Sequence, residues 1–223
     1  MKDFARRAAV VAVLFVVALL CDTSGARAQR LRSGARALIT EFRLDNPTGD
    51  FYGGPLYVTV NGQERKIAEQ AIRAWMIEGG RRVVYSGRDG AGGYENEGQS
   101  LRIYDARTGR QRKVMSEYVE IDKLTAVVTS ARKTALLVEM LDGGLGASYL
   151  AVVDPERGEV FFRRWARLLA RRGDIISIGH YREDDWDKLN EDANARVKPY
   201  KREQQNLNAI LKGRVIYNKP DRP

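Results

Sequence analysis

One module recurs along this chain and limits what it can fold into. A β-rich run ends in a short polar turn, and a second run leaves it. Tyr57-Val58-Thr59-Val60 leads into Asn61-Gly62-Gln63, and Leu101-Arg102-Ile103-Tyr104 into Asp105-Ala106-Arg107-Thr108-Gly109. Tyr149-Leu150-Ala151-Val152-Val153 leads into Asp154-Pro155-Glu156-Arg157-Gly158. Branched and aromatic residues followed by Asn, Asp, Pro and Gly are hairpin chemistry. The strands that leave lie around Lys66-Ile67, Lys113-Val114 and residues 160–162. Ahead of each hairpin stands an aspartate with glycines: Asp50-Phe51-Tyr52-Gly53-Gly54, Asp89-Gly90-Ala91-Gly92-Gly93 and Asp142-Gly143-Gly144-Leu145-Gly146. Ahead of each aspartate is a further β-rich run, at 38–44, 82–86 and 135–140. A fourth such run, 175–181, precedes Asp184-Asp185. The hairpin turns sit 44 and 49 residues apart.

Four short strands at such a period build blade-type repeats. Tyr104-Asp105-x-x-x-Gly109 and Val153-Asp154-x-x-x-Gly158 stand where a blade's inner hairpin ends. On these residues and on the period, residues 38–181 resemble β-propeller proteins of the WD40 and YVTN kind. Neither of these two repeats carries the Gly-His pair or the Trp-Asp dipeptide of the former. About 13 strands are expected, near three and a half blades, whereas closed propellers have roughly 4 to 8. The expected fold is therefore all-β: antiparallel four-stranded blade-like repeats, a minimal or incomplete propeller, with short C-terminal helices. A β-sandwich made of the same hairpins is the alternative. A single domain over 29–217 and a loose tail at 218–223 complete the expectation.

Residues 161–171 carry two readings. Phe161, Phe162, Trp165, Leu168 and Leu169 fall at helical spacing, with Arg163, Arg164, Arg167 and Arg171 opposite. By themselves they describe a basic amphipathic helix. The repeat instead makes 165–170 the first strand of a blade, turning at Arg172-Gly173. The repeat predicts strand. Further on, residues 184–189 read as a short capped helix, 191–201 as a loop, 204–211 as a helix and 214–217 as a last strand.

The first 28 residues read as an export signal. Lys2, Arg6 and Arg7 precede an apolar run over 8–20, and Ala26-Arg27-Ala28 is a small-x-small cleavage site. Thirteen apolar residues are too few to anchor in a bilayer. Leu20 before Cys21 is too large for the lipoprotein pathway. The mature chain would begin at Gln29, in the periplasm or outside the cell. It would hold 195 residues without cysteine and keep +7 of the +9 formal charge. A basic exported chain points to a protein or an anionic envelope component as partner. It points away from nucleic acid, since no basic stripe interleaves with aromatics.

Few motifs carry chemistry. The loop at Asp142 has no Lys and no following helix, so neither a P-loop nor a dinucleotide fingerprint fits. One aspartate per loop is thin for calcium, and the glycines are accounted for as tight turns. Zinc lacks ligands, with one histidine and no mature cysteine. His180 is the imidazole any serine hydrolase would need, and no G-x-S-x-G elbow accompanies it. No catalytic residue, metal or cofactor is assigned. The expected role is a non-enzymatic binding or interaction domain. Its ligand or partner face would hold Asp89, Tyr94, Glu95, Asp142, His180, Asp184 and Asp185. An envelope-associated protein contacting anionic surfaces, including peripheral membrane, through Arg163, Arg164, Arg167 and Arg171 is the second reading. A hydrolase is the third, and pairing of sheet edges between copies is a route to oligomers.

Overall fold

The computed structural model describes residues 37–46, 53–88, 99–117, 120–141, 148–191, 197–213 and 215. Among these residues thirteen strands form three antiparallel sheets, and within each sheet every strand lies beside its sequence neighbour. The first sheet holds β1 (Ile39–Leu44), β2 (Gly54–Val60), β3 (Gln63–Ile77), β4 (Arg82–Arg88), β5 (Gln99–Asp105) and β6 (Arg110–Glu117). The second holds β7 (Glu120–Val128), β8 (Thr134–Leu141), β9 (Ser148–Asp154) and β10 (Glu159–Trp165). The third holds β11 (Arg167–Arg172), β12 (Ile175–His180) and β13 (Lys201–Asn206). Two helices follow the last two strands, α1 (Glu183–Glu191) after β12 and α2 (Leu207–Ile210) after β13.

The six-stranded sheet is two modules joined through one strand. The first part of β3, from Gln63, pairs with β2, and the part from Ala71 onward pairs with β4. The register shifts between Ala71 and Arg73, which bends the strand from one module into the next. Four blade-like units result. The expected propeller-like repeat is thus present, with three described strands in the first and last units and four in each of the middle two. No described strand joins the third sheet back to the first.

Burial explains the composition of each strand. Strand β8 sends Leu136, Val138 and Met140 into a core shared with Val84, Leu101 and Ile103, and sends Ala135 and Leu137 into a second core shared with Ile176 and Ile178. Covered on both faces, β8 and β9 need apolar residues at nearly every position. Strand β2 alternates buried Leu56, Val58 and Val60 with half-buried Pro55, Tyr57 and Thr59, as a one-faced strand does. Strand β12 does much the same, burying Ile176 and Ile178. The continuous runs therefore mark inner sheets and the alternating runs mark the ends of the stack.

The turns have the chemistry their sequences imply. Asn61 and Gly62, at φ 52 and 76, make the tight β2–β3 hairpin. The Asp105 and Asp154 turns are copies of each other. Asp105 Oδ1 accepts from the N–H groups of Arg107 and Thr108 at 3.0 and 3.1 Å, and Asp154 Oδ1 from Glu156 and Arg157 at 2.8 and 3.0 Å. Gly109 and Gly158 close the turns at φ 65 and 66. Gly158 has a second reason to lack a side chain. A Cβ there would lie 2.4 Å from Arg112 Nε, and Arg112 donates to the carbonyls of Pro155, Glu156 and Arg157 at 2.9, 2.6 and 2.8 Å. An arginine of one blade thus caps the turn of the next.

The ambiguous basic segment is strand. Strand β10 runs to Trp165, buried Ala166 makes the corner, and β11 follows. The C-terminal expectation needs correction. Residues 204–206 are not helical: they continue β13, whose backbone pairs with β12 from His180↔Lys201 to Ile175↔Asn206. Pairing along a neighbouring strand outweighs the local preference of Glu and Gln for helix. The helix starts only at Leu207, where the Asn206 side chain accepts from Ala209 N–H at 3.2 Å. Of the expected last strand only Val215 is described, half-buried against the second core.

Candidate functional site

Antiparallel pairing brings four connections to corresponding ends of their sheets: β1 to β2, β4 to β5, β8 to β9 and β12 to β13. In the sequence the Asp-Gly segments fall within the first three of these connections. Asp89, Tyr94, Glu95 and Asp142, and Asp50 with them, are outside the described residues. The fourth connection carries α1. There Asp185 accepts from Arg182 N–H at 3.3 Å, the return bond of a capping box, and Asp184 is exposed. Both acids belong to the first turn of the helix and suit its dipole.

His180 ends β12 with its side chain mostly buried. Its Nε2 lies 3.2 Å from Glu203 Oε2 on β13. Glu203 also meets Arg164 at 3.2 Å and Lys201 at 3.9 Å, and accepts from the Gln205 amide. The Gln205 hydrogen bond first, against the cost of burial, then His180, Arg164 and Lys201 hold the Glu203 carboxyl below its ordinary range. Histidine and glutamate here tie two strands together. A lowered carboxylate pKa stabilises the fold above the unfolded value of about 4.3 and stops doing so as pH falls through the folded value. The melting-temperature advantage of wild type over Glu203→Gln should therefore be largest near neutral pH. It should shrink below about pH 4. A gap that stays constant down to pH 3 would contradict the role given to this carboxylate.

The four arginines are spread out by the strand conformation. Arg163 and Arg164 are consecutive in β10 and so project to opposite faces. The Arg163 guanidinium lies 4.6 Å from the Tyr149 ring, and that of Arg164 lies 5.3 Å from Phe162. Arg171 donates to the Gly173 carbonyl at 3.0 Å. Arg167 stands apart: it is half-buried, and no hydrogen bond or ion pair engages it among the described residues.

Arg167 lines a cavity of about 270 Å³ with residues the sequence had not linked. Asp122 of β7, Glu139 and Met140 of β8, Tyr149 of β9, and Trp186 and Leu189 of α1 share its wall. Trp186 and Leu189 are 4% and 9% exposed and pack with Tyr181 and Val197, which seats the helix beside the sheet end. The charges of the wall are unequally compensated. Asp122 shares Arg73 with Glu120, at 2.7 and 2.8 Å. Glu139 has the Lys123 ammonium 3.4 Å from its Oε1, an ion-pair separation without hydrogen-bond geometry. That buried oxygen therefore keeps its accepting capacity, and Arg167 keeps all its donors. One sequence signal could have marked the place: Glu139 is the single charge in Ala135–Leu141, a strand covered on both faces. Among the described residues no three His, Cys, Asp or Glu side chains are grouped to hold a metal ion.

No family model matches this chain, and no curated protein matches it. Solved structures of low similarity do. The β-propeller domain of the Trilobed protease from Pyrococcus furiosus, described as having an open velcro topology, aligns at 13% identity and a TM-score of 0.44. That alignment covers 68% of this chain and 47% of that one. Pyrococcus horikoshii acylaminoacyl peptidase aligns at 12% and 0.42, over 75% of this chain and 32% of that one. An acylaminoacyl peptidase in complex with Z-Gly-Gly-Phe-chloromethyl ketone aligns at 14% and 0.41, over 74% and 29%. The chain thus spans less than half the length of each. The propeller-like description rests on strand order and on the repeated turns.

Proposed function

We propose that this chain is an exported binding domain whose contacts lie at the sheet end where β8 stops, β9 starts and α1 is seated. The observation that carries the reading is the cavity beside α1, where the unengaged Arg167 shares the wall with Trp186 and Leu189. Binding sites on rigid β scaffolds are commonly built from such connections. The opposite end of the sheets is occupied by turns that bond to one another, with Arg112 on the 155–157 carbonyls and Asp174 on Ser130 and Asn208.

A photo-crosslinking residue at Leu141 or Ser148, on the cavity rim, should capture a partner in cells. The same residue at Thr108, on the opposite end, should not. Equal capture from Thr108, or none from the rim, would argue against the assigned face. The leader-like segment supports export, and N-terminal sequencing of the mature protein should begin at Gln29. An intact Met1 would remove the exported setting.

A further inference from the structure

The end of the sheets opposite α1 carries a surplus of positive charge. The turns and strand ends there, 60–65, 77–82, 105–112, 128–134, 154–159, 171–175 and 206–213, hold twelve Lys and Arg against seven Asp and Glu. Most of those acids have cations of their own. Arg43 holds Glu64, Arg82 holds Glu78 and Asp105, Arg81 reaches Asp105 and Glu156, and Arg157 holds Glu159. Asp154 is engaged by the N–H groups of its own turn. The surplus gathers where the second sheet meets the third. Ser130, in the β7–β8 turn, donates its N–H at 3.0 Å and its hydroxyl to Asp174, in the β11–β12 turn. The Asn208 amide of α2 donates to the same carboxylate at 2.6 Å. The three segments joined at this node carry Arg132, Lys133, Arg171, Arg172 and Lys212, all exposed, and Asp174 is the one acid in their sequence. Arg171 donates to the Gly173 carbonyl. No hydrogen bond or ion pair engages the side chains of the other four among the described residues.

Charge by itself suits any polyanion, and two apolar side chains narrow the choice. Val128, at the foot of the β7–β8 turn, is 71% exposed, more than any other large apolar side chain among the described residues. Ile175, next to Asp174, is 37% exposed. Their neighbours Val127 and Ile176 lie in the second core, so both point away from it, one on each side of the node. At the tip of the turn Arg132 has a φ of 59, a conformation that glycine or asparagine adopts more readily, so the turn geometry does not account for an arginine there. Cations with exposed apolar groups beside them match a lipid surface, which takes the charges at its headgroups and the apolar groups at the acyl boundary. A soluble polyanion offers nothing to cover Val128. We propose that this corner of the molecule docks on an anionic membrane surface, with Arg132, Lys133, Arg172 and Lys212 among the headgroups and Val128 and Ile175 at the apolar boundary. The surface is separate from the α1 end, which it leaves facing away from the membrane.

Co-sedimentation of the full chain with vesicles tests the assignment. One set is phosphatidylcholine alone, and the other is phosphatidylcholine and phosphatidylglycerol in equal parts. The chain should bind the anionic set, less tightly as salt rises, and should not bind the neutral set. This comparison uses the unaltered chain and needs no variant to fold. Arg132→Glu with Lys133→Glu should weaken binding at least about tenfold, each cation near an anionic surface being worth about fivefold. The same change of charge at the α1 end, Lys188→Glu with Arg202→Glu, should leave most of the binding in place. Val128→Ser should weaken vesicle binding by about fivefold and leave binding to heparin, a soluble polyanion, unchanged. Binding to neither set, or equally to both, overturns the proposal. So does an equal loss from the two double variants. Heparin binding as tight as vesicle binding, with Val128→Ser without effect on either, overturns the lipid assignment in favour of a soluble polyanion.

Discussion

Replacing Arg82 with alanine should lower the melting temperature by about 10 °C, corresponding to about 3–5 kcal/mol in a domain of this size. Arg82 opens β4 and is 3% exposed. Its guanidinium holds Glu78 at 2.6 Å and Asp105 at 3.2 Å, both largely buried. Burial pulls the Asp105 carboxyl upward, but the Thr108 backbone N–H and the charges of Arg82 and Arg81 prevail and keep it below its ordinary range. Asp105 meanwhile caps its own turn through Arg107 and Thr108. Removing Arg82 leaves two buried carboxylates without their shared partner and loosens the β5–β6 turn. Such a break costs more than the pair itself contributes, because the charges left behind remain desolvated. Arg82→Lys keeps the charge without the fork and should recover part of the loss. A melting shift below about 2 °C for Arg82→Ala would show that the network is dispensable.

Leu137→Ala should cost about 2–5 kcal/mol by thermal or denaturant unfolding. Leu137 is fully buried in β8, on the face that meets Phe161, Ile176 and Ile178. The deletion leaves a cavity between the second and third sheets, with rigid strands around it that cannot collapse far. The third sheet has few other attachments, so its amides should lose protection from hydrogen exchange before those of β4 and β5. Thr59→Ala, on the solvent side of β2, is the control and should stay within about 0.5 kcal/mol. Equal effects of the two changes, or uniform loss of protection in all three sheets, would contradict a stack in which the middle sheet holds the last one.

Both predictions concern residues whose importance is invisible along the chain. Arg82 looks like one member of the surface-like pair Arg81-Arg82. Only the pairing of β4 with β5 places it against Asp105. The basic segment shows the same limit differently. Its spacing fits a helix, while the repeat assigns a strand, and the structure has β10 and β11 there. A pattern that recurs three times carries more information than a single window of eleven residues, because each copy must satisfy the same backbone geometry. The misreading of 204–206 as helical arose where no repeat was available. Gln and Glu are good helix formers, and only the exposed edge of β12 makes them a strand.

The sequence by itself determined most of the strands as far as β12, their hairpin turns and their order. These depend on contacts a few residues apart: side-chain alternation, Asx bonds within the turns, and the positive φ of Gly109 and Gly158. It also marked inner and outer sheets, since a strand covered on both faces has no room for alternating polar residues. Tertiary structure decided what lies far apart in the chain. It set Arg112 on the turn at 155–157, joined His180 to Glu203, and gathered Asp122, Glu139, Arg167 and Trp186 around one cavity. Local preference cannot encode such meetings, because they depend on how whole sheets stack and on which ends their connections leave.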